Sequence, residues 1–541
     1  MSTQISNLFY IQIIVTVLQK LIFTNLRVSI YCDIIKLMEN ELKISKTELL
    51  KGTEYSTIFS NMPTDKECFI EDVIYNTKNV KNDTIFVCLK GANFDSHDEK
   101  VITDVINNGS KIVVVERDVD LDKIKSELKE NIEYEIIKVE STRKALSLLS
   151  INYFREPLKK LTLIGITGTK GKTTTTYMIK RILEKAGHRV GIIGTIGYVN
   201  GDELIKTDNT TPESYLLQKY FYDMTKSNVE YAVIEVSSQS LKLYRTYGMH
   251  FDYAIFTNIA EDHIGKNEHK DFDEYFNCKL KIFDNCDIAI INKDDDQYDN
   301  ISKYIESTKV KKEISYSAKD IEKNIIEKDD LLGVEFKTKE FSQSIIIPLP
   351  GLHNIYNALS AITVTKEIGI KEEIIIEALR EISVPGRVEI IEKNKDYTIM
   401  VDYAHNELGT KMLIQSIKEY KPKRIVVVFG CGGNRDVNRR YGMGEVVGEY
   451  ADYSIVTADN SRFEKTSDII KDILSRLTKW TNNYIVIEDR REAIIHAIKH
   501  HEKGDIILVI GKGHEDYNDF NGVKTHFSDK EEILKVLNGK Q

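Results

Sequence analysis

The segment GITGTKGKTTTT, residues 165–176, combines closely spaced glycines with a Gly-Lys-Thr triplet. Glycine turns of this kind let backbone N–H groups approach phosphate oxygens, while the lysine reaches the terminal phosphates and the threonine hydroxyl reaches Mg²⁺. The spacing departs from the usual phosphate-loop pattern, because five residues separate Gly165 from Gly171 and only two separate Gly168 from Gly171. A solvated glycine turn is the alternative to a nucleotide site.

The flanking residues predict the strand and the helix that a phosphate loop requires. LTLIGITG (161–168) predicts a buried strand, and the apolar residues after Lys172 follow helical spacing up to Gly187, a typical C-terminal residue of a helix. This context favours a phosphate site over a solvated turn. The predicted nucleotide ligands here are Gly168, Thr169, Lys170, Gly171, Lys172, Thr173 and Thr174, with Thr173 also binding Mg²⁺.

Composition sets the broad class of the protein. The chain has 541 residues, 41% hydrophobic and 29% charged, which predicts two to four soluble globular domains. A net charge of -9 disfavours a nucleic-acid partner, since no basic field is available to hold a phosphate backbone. The six cysteines form no CxxC pair and no zinc-like cluster with histidine, which favours free thiols. We expect a cytoplasmic monomer.

The first 37 residues differ from the rest of the chain. Residues 8–23, LFYIQIIVTVLQKLIF, are apolar but short for a membrane span, and polar residues interrupt them. No basic segment precedes them and no clear small-residue cleavage site follows, so a signal peptide is weakly supported. We interpret residues 1–37 as a non-native or disordered extension from an upstream start assignment. A membrane-surface anchor is the alternative, and no stable membrane insertion is expected.

Apolar runs that end in polar or glycine residues recur in two blocks. YAVIEVSS (231–238) and FDYAIFTNI (251–259) belong to the first block, and the pattern restarts after Pro385-Gly386 with TIMVDYAHN (398–406). Such runs are typical of parallel strands buried on both faces, with ligands at their carboxyl ends. We predict an α/β protein with a smaller N-terminal α/β domain (38–155), a central P-loop ATPase-type parallel sheet (156–384) and a Rossmann-like C-terminal domain (385–541).

The order of the motifs in the chain resembles the Mur ligase family, which adds amino acids to the peptidoglycan precursor. The motifs are GTKGKT, NTTPES, EVSSQSL, FTNIAEDH, YFNCK, GLHNIYN, VPGRVE, DYAH and GKGHE, and the resemblance covers roughly residues 38–541. NTTPES is similar to the branch that forms the tripeptide. The resemblance implies that ATP phosphorylates a carboxylate and that an amine then displaces phosphate to give an amide. It also implies that the three domains bind, in chain order, a UDP-linked substrate, ATP and an amino acid.

The resemblance assigns catalytic and metal-binding roles in the central domain. Glu235 would bind Mg²⁺, although a lone glutamate at a strand end could merely cap a helix. His263 matches a histidine near the second metal. Lys279 in YFNCK matches a lysine that becomes carbamylated and then binds Mg²⁺; without the resemblance it would be an exposed helix lysine. These three residues join Lys172 as predicted catalytic groups and Thr173 as predicted metal ligands.

Further nucleotide contacts are implied outside the loop. Asn354 of GLHNIYN would lie near the adenine, and Arg387 would reach ATP from the C-terminal domain, which implies domain closure. Asp402 and His405 of DYAH resemble nucleotide-side contacts. Glu407 stands where the family usually has proline, and we expect only a modest change of the loop.

The segment TADNSRFE (457–464) indicates the incoming amino acid. Branch members that add meso-diaminopimelate usually contain Asp-Asn-Pro-Arg; here Ser461 replaces the proline, which we expect to loosen the turn. Arg462 can hold the distal carboxylate that lysine lacks, and Glu515 can hold the distal ammonium. A surface salt bridge is the alternative for Arg462. The predicted amino-acid ligands are Asp459, Asn460, Arg462, Gly511 and Glu515.

The acceptor site departs most from the family pattern. YNTKNV (75–80) replaces a usual DSR signature, and IGKNEH replaces a Leu-Asp-Tyr-His type of run. Either the site has drifted or the chain is a paralogue with a related acceptor. The predicted acceptor contacts are Thr77, Asn209, Thr210, Thr211, Ser237 and Arg245.

We therefore expect an ATP- and Mg²⁺-dependent ligase that joins meso-diaminopimelate to UDP-N-acetylmuramoyl-L-alanyl-D-glutamate. The same ligase using L-lysine or another amine is one alternative, and a folylpolyglutamate-type ligase with a different acceptor is another. A nucleotide-binding regulator without turnover is a third, which the presence of Lys172, Glu235, His263 and Lys279 disfavours.

Overall fold

The computed structural model describes residues 42–539 except 66, 92–93, 202, 263, 266–267 and 329–330. Our predictions for residues 1–37 and for His263 lie outside the described residues. The chain divides into two compact units. The first runs up to Pro157 and includes Ser214–Lys219 and Tyr244–Gly248; the second comprises Leu158–Glu213, Tyr220–Leu243 and the chain from Met249 onward.

The first unit is built on a five-stranded sheet. Its edge strand Ser56–Ser60 is antiparallel to the adjacent strand, and the other four strands are parallel to one another. The strands lie in the order Ser56–Ser60, Glu135–Lys138, Ser110–Val115, Thr84–Val87 and Asp72–Ile74. Ile44–Ser45 and Phe69–Ile70 form a separate antiparallel pair. The helices are Lys46–Leu49, Glu99–Asn107, Leu121–Glu127 and Thr142–Tyr153, and Thr77–Asn79 is a 3₁₀ turn.

An eight-stranded sheet organises the first half of the second unit. Its order is Glu203–Ile205, Tyr198–Asn200, Val190–Ile193, Tyr231–Glu235, Thr162–Thr167, Phe251–Phe256, Cys286–Asn292 and Lys312–Tyr316. The last six are parallel and the first two form an antiparallel extension. Glu235 pairs with Ile166 and Phe256 pairs with Thr167, so three neighbouring strands end at the same edge. Ligands in open α/β sheets bind at such an edge.

The helix after the glycine turn begins and ends as the sequence predicts. It spans Lys172–Lys185, and Gly187 follows it in the left-handed region with φ +94°. The Gly187 N–H donates to Glu184 over 2.9 Å and the His188 N–H donates to Leu183 over 3.0 Å, which satisfies two terminal carbonyls. The apolar face of this helix packs against the helix His353–Ile368 in the core.

Further elements cover this sheet. The helix Ser214–Lys226 and the 3₁₀ turn Pro157–Lys160 each belong partly to the first unit. The other helices of this half are Ser238–Lys242, Phe272–Leu280, Tyr298–Glu306 and Glu372–Arg380, with a 3₁₀ turn at Lys281–Phe283. Glu322–Lys328, Leu331–Lys337 and Ile345–Ile347 form an antiparallel sheet.

A six-stranded sheet organises the C-terminal part. Its order is Glu389–Lys393, Tyr397–Asp402, Asp505–Ile510, Arg424–Phe429, Tyr453–Val456 and Tyr484–Val486, and only the first strand is antiparallel. Val427 and Leu508 lie in one core while their neighbours Val428 and Val509 lie in another, so both faces are buried. The helices are Glu407–Lys418, Val437–Tyr450, Thr466–Leu477, Arg490–Lys499 and Asp529–Leu537, and Tyr517–Phe520 pairs with Val523–His526.

Glu407, which stands in place of the usual proline, is the first residue of its helix. Asn406 caps that helix by accepting a hydrogen bond from the Gly409 N–H over 2.9 Å. The N–H of a first helical residue has no partner within the helix, which is why proline is favoured there and why glutamate fits equally well. Gly442 leaves room for the glutamate, since a Cβ atom there would lie 2.5 Å from its Oε2.

The structure confirms the predicted α/β class with parallel sheets, whereas the three domain boundaries stay predictions. None of the helices in the described ranges is long and apolar enough to cross a membrane. The five described cysteines, at positions 68, 88, 278, 286 and 431, are free thiols.

Candidate active site

A cavity of about 600 Å³ in the second unit brings the nucleotide and metal predictions together. Its lining comes from the phosphate loop (residues 168–173), the end of the strand Tyr231–Glu235, the segment 387–409 and several helices, among them Phe272–Leu280 and His353–Ile368. The predicted residues in its lining are Thr169, Lys170, Gly171, Lys172, Thr173, Thr174, Thr210, Glu235, Ser237, Lys279, Asn354, Arg387, Asp402 and His405.

Two glycines of the phosphate loop are required by its geometry. Gly168 has φ +137° and Gly171 has φ +85°, both in the region that favours glycine. A Cβ atom on Gly168 would lie 2.0 Å from Thr257 Oγ1, and one on Gly171 would lie 2.2 Å from Asn357 Oδ1. The altered glycine spacing therefore produces a tight turn against neighbouring side chains.

The loop is also held by hydrogen bonds from the adjacent strand end. The Lys170 N–H donates to Asn258 Oδ1 over 2.9 Å, and the Lys170 ammonium pairs with Asp262 at 3.1 Å. Thr169 Oγ1 accepts from the Ala260 N–H at 3.1 Å and lies 3.0 Å from the Tyr275 hydroxyl. Lys170 and Thr169 thus fix the loop.

Lys172 lies inside the phosphate loop. Its ammonium donates to the carbonyls of Gly168 and Thr169 over 2.7 and 3.1 Å. Burial lowers the pKa of Lys172 to about 8, a shift that the carboxylate of Glu235 opposes. A cation held here is placed to neutralise phosphate oxygens.

Glu235 is 1% exposed, and hydroxyl groups surround its carboxylate. Oε2 accepts from Thr173 Oγ1 over 3.1 Å and from Thr195 Oγ1 over 2.9 Å, while Oε1 accepts from the Thr195 N–H over 3.1 Å. A buried carboxylate beside a threonine hydroxyl suits Mg²⁺, which takes oxygen ligands from one or two carboxylates together with substrate phosphates. Within the described ranges no three His, Cys, Asp or Glu side chains form a metal cluster. These residues therefore fit a metal ion shared with a nucleotide.

Lys279 is 2% exposed, which rejects the alternative of an exposed helix lysine. Its ammonium donates to the Gly168 carbonyl over 2.8 Å and lies 4.7 Å from the centre of the Tyr275 ring. Burial holds the pKa of Lys279 well below its usual range, and the charge of Lys172 lowers it further. The helix Phe272–Leu280 thus directs a lysine with a lowered pKa at the phosphate loop.

Arg387 approaches the phosphate loop from the C-terminal part of the chain. Its Nη2 lies 3.5 Å from Thr173 Oγ1, and its guanidinium stacks 4.7 Å above the Tyr403 ring. Stacking on an aromatic face limits the orientations of the guanidinium. Arg387 can therefore add a positive charge to the cavity beside Thr173.

Asp402 and His405 shape the segment that follows their strand. Asp402 accepts from the N–H groups of Val388 and Ala404, each over 2.7 Å, and burial raises its pKa. His405 is exposed, and its Nδ1 lies 2.7 Å from the Tyr403 carbonyl. Both line the cavity, and Asp402 also fixes the backbone beside Arg387.

Asn354 is buried at the start of the helix His353–Ile368. Its Nδ2 donates to the Pro350 carbonyl over 2.8 Å, and its Oδ1 accepts from Asn357 Nδ2 over 3.0 Å. Burial lowers the pKa of His353 to about 4. This end of the cavity therefore presents neutral polar groups, which suits a base more than a phosphate.

The predicted amino-acid ligands converge in the C-terminal part. Asn460 Nδ2 donates to Glu515 Oε2 over 2.8 Å, and burial raises the pKa of Glu515, with Asp459 adding to the shift. Arg462 has φ +50°, and its Nη1 donates to the Gly433 carbonyl over 2.7 Å. A Cβ atom on Gly511 would lie 2.8 Å from Asp459 Oδ2.

Ser461 does not loosen this turn as we expected. The side chain is buried, and its hydroxyl lies 2.6 Å from Thr466 Oγ1 at the start of the helix Thr466–Leu477. The serine thus replaces the stiffness of a proline ring with a side-chain hydrogen bond.

The predicted acceptor contacts have different environments. Thr210 and Ser237 line the cavity, whereas Asn209 is exposed. Thr211 is fully buried; its hydroxyl donates to the Glu235 carbonyl over 2.8 Å and accepts from the Ser237 N–H over 3.0 Å. Thr211 therefore joins the loop 209–213 to the strand end.

Two predicted acceptor contacts belong to the first unit. Thr77 is exposed in its 3₁₀ turn, and the Arg245 carbonyl accepts from Ser214 Oγ over 3.1 Å. Their roles stay predictions.

Sequence reasoning missed two buried residues of the site. His269 lines the cavity, is 1% exposed, and its Nε2 lies 3.0 Å from Ser238 Oγ. A signal existed, because the run IGKNEH ends in histidine, as the family's usual run does. Lys512 of GKGHE is fully buried and donates to Asn460 Oδ1 over 3.2 Å, which directs the amide N–H of Asn460 towards Glu515.

A group of arginines was also missed. Burial lowers the pKa of Arg435, and the positive charges of Arg462 and Arg439 lower it further. Like charges held close together favour an anionic ligand between them. The signal was NRDVNRR (434–440), which places three arginines after a strand end.

The comparisons with known proteins agree with this geometry. Residues 166–365 match the family model of the Mur ligase middle domain, and residues 386–513 match that of the Mur ligase glutamate ligase domain. Curated relatives named UDP-N-acetylmuramoyl-L-alanyl-D-glutamate--2,6-diaminopimelate ligase include that of Clostridium botulinum, 42% identical over 90% of this chain and 98% of its own. Another is that of Clostridium perfringens, 40% identical over 91% and 99%.

Solved structures show the same fold. A UDP-N-acetylmuramoyl-L-alanyl-D-glutamate--2,6-diaminopimelate ligase covers 92% of this chain and 99% of its own with a TM-score of 0.62 and 24% identity. MurF from Acinetobacter baumannii covers 87% and 96% with a TM-score of 0.57 and 19% identity. The two family models and the two relatives at 42% and 40% identity place this chain in the Mur ligase family, in its UDP-N-acetylmuramoyl-tripeptide synthetase branch.

Proposed function

We propose that this protein is the ATP- and Mg²⁺-dependent ligase that joins meso-diaminopimelate to UDP-N-acetylmuramoyl-L-alanyl-D-glutamate. The observation that carries the proposal is one cavity that holds the phosphate loop, Glu235, Lys279 and Arg387. Relatives that are named for this reaction and align over nine-tenths of the chain support it.

The phosphate loop binds and orients ATP. The N terminus of the helix Lys172–Lys185 faces the phosphates, while Lys172 and Arg387 neutralise their charge. The acceptor carboxylate attacks the γ-phosphorus, and the bond to ADP breaks, giving an acyl phosphate. Catalysis of this step is mainly positioning and charge stabilisation.

Thr173, Glu235 and carbamylated Lys279 would hold Mg²⁺, together with His263, which lies outside the described residues. The metal supplies charge neutralisation on the transferring phosphoryl group. Lys279 suits carbamylation because its lowered pKa leaves a free amine beside the loop. The modification converts an amine beside Lys172 into an anion that attracts the Lys172 ammonium.

The amino-acid loop (residues 457–464) supplies the selectivity for the amine. Arg462 would form a bidentate pair with the distal carboxylate of meso-diaminopimelate, and Glu515 would accept from its distal ammonium. Arg435 adds positive charge at the same place. The attacking amine displaces phosphate from the acyl carbon and leaves an amide.

The test measures ADP formation and the mass of the product with purified protein. The acceptors are UDP-N-acetylmuramoyl-L-alanyl-D-glutamate and a folate, and the amines are meso-diaminopimelate, L-lysine and glutamate. We expect rapid formation of ADP and a UDP-linked tripeptide only when the first acceptor is combined with meso-diaminopimelate, and at most slow turnover with L-lysine. Product from folate, or ADP formation with no acceptor requirement, would exclude the proposal.

A cytoplasmic monomer with no nucleic-acid partner remains our expectation, on the grounds of net charge and free cysteines. Light scattering of the purified protein tests the oligomeric state.

A further inference from the structure

The end of the strand Val190–Ile193 lies directly beside Glu235. Ile193 pairs with Ile234, so Gly194 and Thr195 continue past the residue that carries the carboxylate. A Cβ atom on Gly194 would lie 2.3 Å from Glu235 Oε1. The carboxylate therefore packs against the backbone of this segment.

Thr195 contacts both oxygens of that carboxylate. Its N–H donates to Oε1 over 3.1 Å, and its hydroxyl donates to Oε2 over 2.9 Å. The two bonds define the rotation of the carboxylate plane, because a single bond would leave the plane free to turn. Thr173 also donates to Oε2, but it is itself a predicted metal ligand.

The hydroxyl of Thr195 is the middle of a short chain. A hydroxyl has one proton and two acceptor sites. Because Thr195 donates to Glu235, the Thr210 hydroxyl 3.2 Å away donates to Thr195. Thr210 lies in the loop that carries predicted acceptor contacts, so this chain connects the acceptor loop to the carboxylate.

We propose that Thr195 is a positioning residue that orients Glu235 for the metal ion. The inference rests on the proposed function, which supplies the metal. Residues that hold a metal ligand in place from behind typically change metal affinity by about 10- to 100-fold when they are removed. Thr195→Val keeps the volume and the N–H bond but removes the hydroxyl, so the lower end of that range applies.

The test is the affinity for Mn²⁺ in the presence of ADP, followed by electron paramagnetic resonance. We expect Thr195→Val to bind Mn²⁺ about tenfold more weakly than the wild type. Thr195→Ser should restore the affinity, because serine keeps the hydroxyl. The matched control is Thr363→Val in the helix His353–Ile368, where the lost hydroxyl donates to the Leu359 carbonyl outside the cavity. It should bind Mn²⁺ as the wild type does.

Affinity for ADP without metal separates positioning from general damage. We expect it to be equal in the wild type and in Thr195→Val. The inference would be overturned if Thr195→Val and Thr363→Val bind Mn²⁺ equally well. It would also be overturned if Thr195→Val loses ADP affinity equally with and without metal. If Thr195→Val does not fold, Thr195→Ala removes the same hydroxyl, and unchanged Mn²⁺ affinity there overturns the inference. A wild type that binds Mn²⁺ with ADP but makes no tripeptide contradicts the proposed function alone.

Discussion

The ammonium groups of Lys172 and Lys279 donate to one acceptor, the carbonyl oxygen of Gly168, over 2.7 and 2.8 Å. Two cations this close repel each other strongly when water is excluded. Burial and the charge of Lys172 therefore hold the pKa of Lys279 well below its usual range. The phosphate loop thus combines a lysine that can neutralise phosphate with a second lysine that loses its proton more easily.

The lowered pKa of Lys279 predicts carbamylation by dissolved CO₂. Free amine is the reactive form, and a lowered pKa makes more of it available at a given pH. With ¹³C-bicarbonate, we expect one carbamate signal in the NMR spectrum that is absent from Lys279→Ala and present in Lys303→Ala, which removes an exposed lysine. Ligase activity should fall in CO₂-depleted buffer and recover on adding bicarbonate. A spectrum unchanged in Lys279→Ala contradicts the prediction.

Nucleotide affinity should depend on pH through Lys172. Its pKa is lowered to about 8 in the protein alone, and bound phosphates favour the charged form and raise that pKa. Binding therefore takes up a proton above pH 8. We expect ADP affinity to be constant below about pH 8 and to fall by up to about tenfold per unit above it. Titration of a fluorescent ADP analogue checks this, and Lys172→Met should remove most of the dependence. An affinity that rises above pH 8 would contradict it.

The parts of the site that local sequence controls were predictable. The strand, glycine turn and helix around Lys172 follow from apolar runs and from Gly187, and the structure places them as expected. The burial of Lys279 and the bonds from Thr195 to Glu235 were not predictable, because they join segments 40 or more residues apart. The family resemblance supplied the role of Lys279, but only tertiary packing shows why its pKa is lowered.

Gly171 and Gly187 flank the same helix and form a matched pair. Both have positive φ, where a non-glycine residue costs about 1 kcal/mol or more. A Cβ atom on Gly187 meets no atom within 4 Å, whereas one on Gly171 would displace the amide of Asn357, which bonds Asn354. We expect Gly187→Ala to lose about 1 kcal/mol of unfolding free energy and keep ADP affinity. Gly171→Ala should lose ADP binding. Urea unfolding and ADP titration measure both, and equal ADP affinities would refute the prediction.

Arg462 should decide between meso-diaminopimelate and L-lysine. Its Nη1 is already held by the Gly433 carbonyl, and the left-handed backbone at φ +50° fixes where the side chain leaves the chain. A guanidinium that is oriented in advance can bind a carboxylate through two parallel bonds. L-lysine has no distal carboxylate, so it gains nothing from this pair and leaves the guanidinium without its partner.

Removing the guanidinium should therefore act on one substrate only. We expect Arg462→Ala to lower kcat/KM for meso-diaminopimelate by about 100-fold, the cost of breaking a buried charge pair, and to leave the slow turnover of L-lysine unchanged. Arg462→Lys should recover little, because an ammonium cannot make the paired bonds. Arg476→Ala is the control. Arg476 lies in the helix Thr466–Leu477, stacks on the ring of Tyr441 and is not a predicted ligand-binding residue. Steady-state kinetics with both amines checks the prediction. A wild type that uses both equally, or a variant that loses both equally, shows that selectivity lies elsewhere and that Arg462 supports only the fold of its loop.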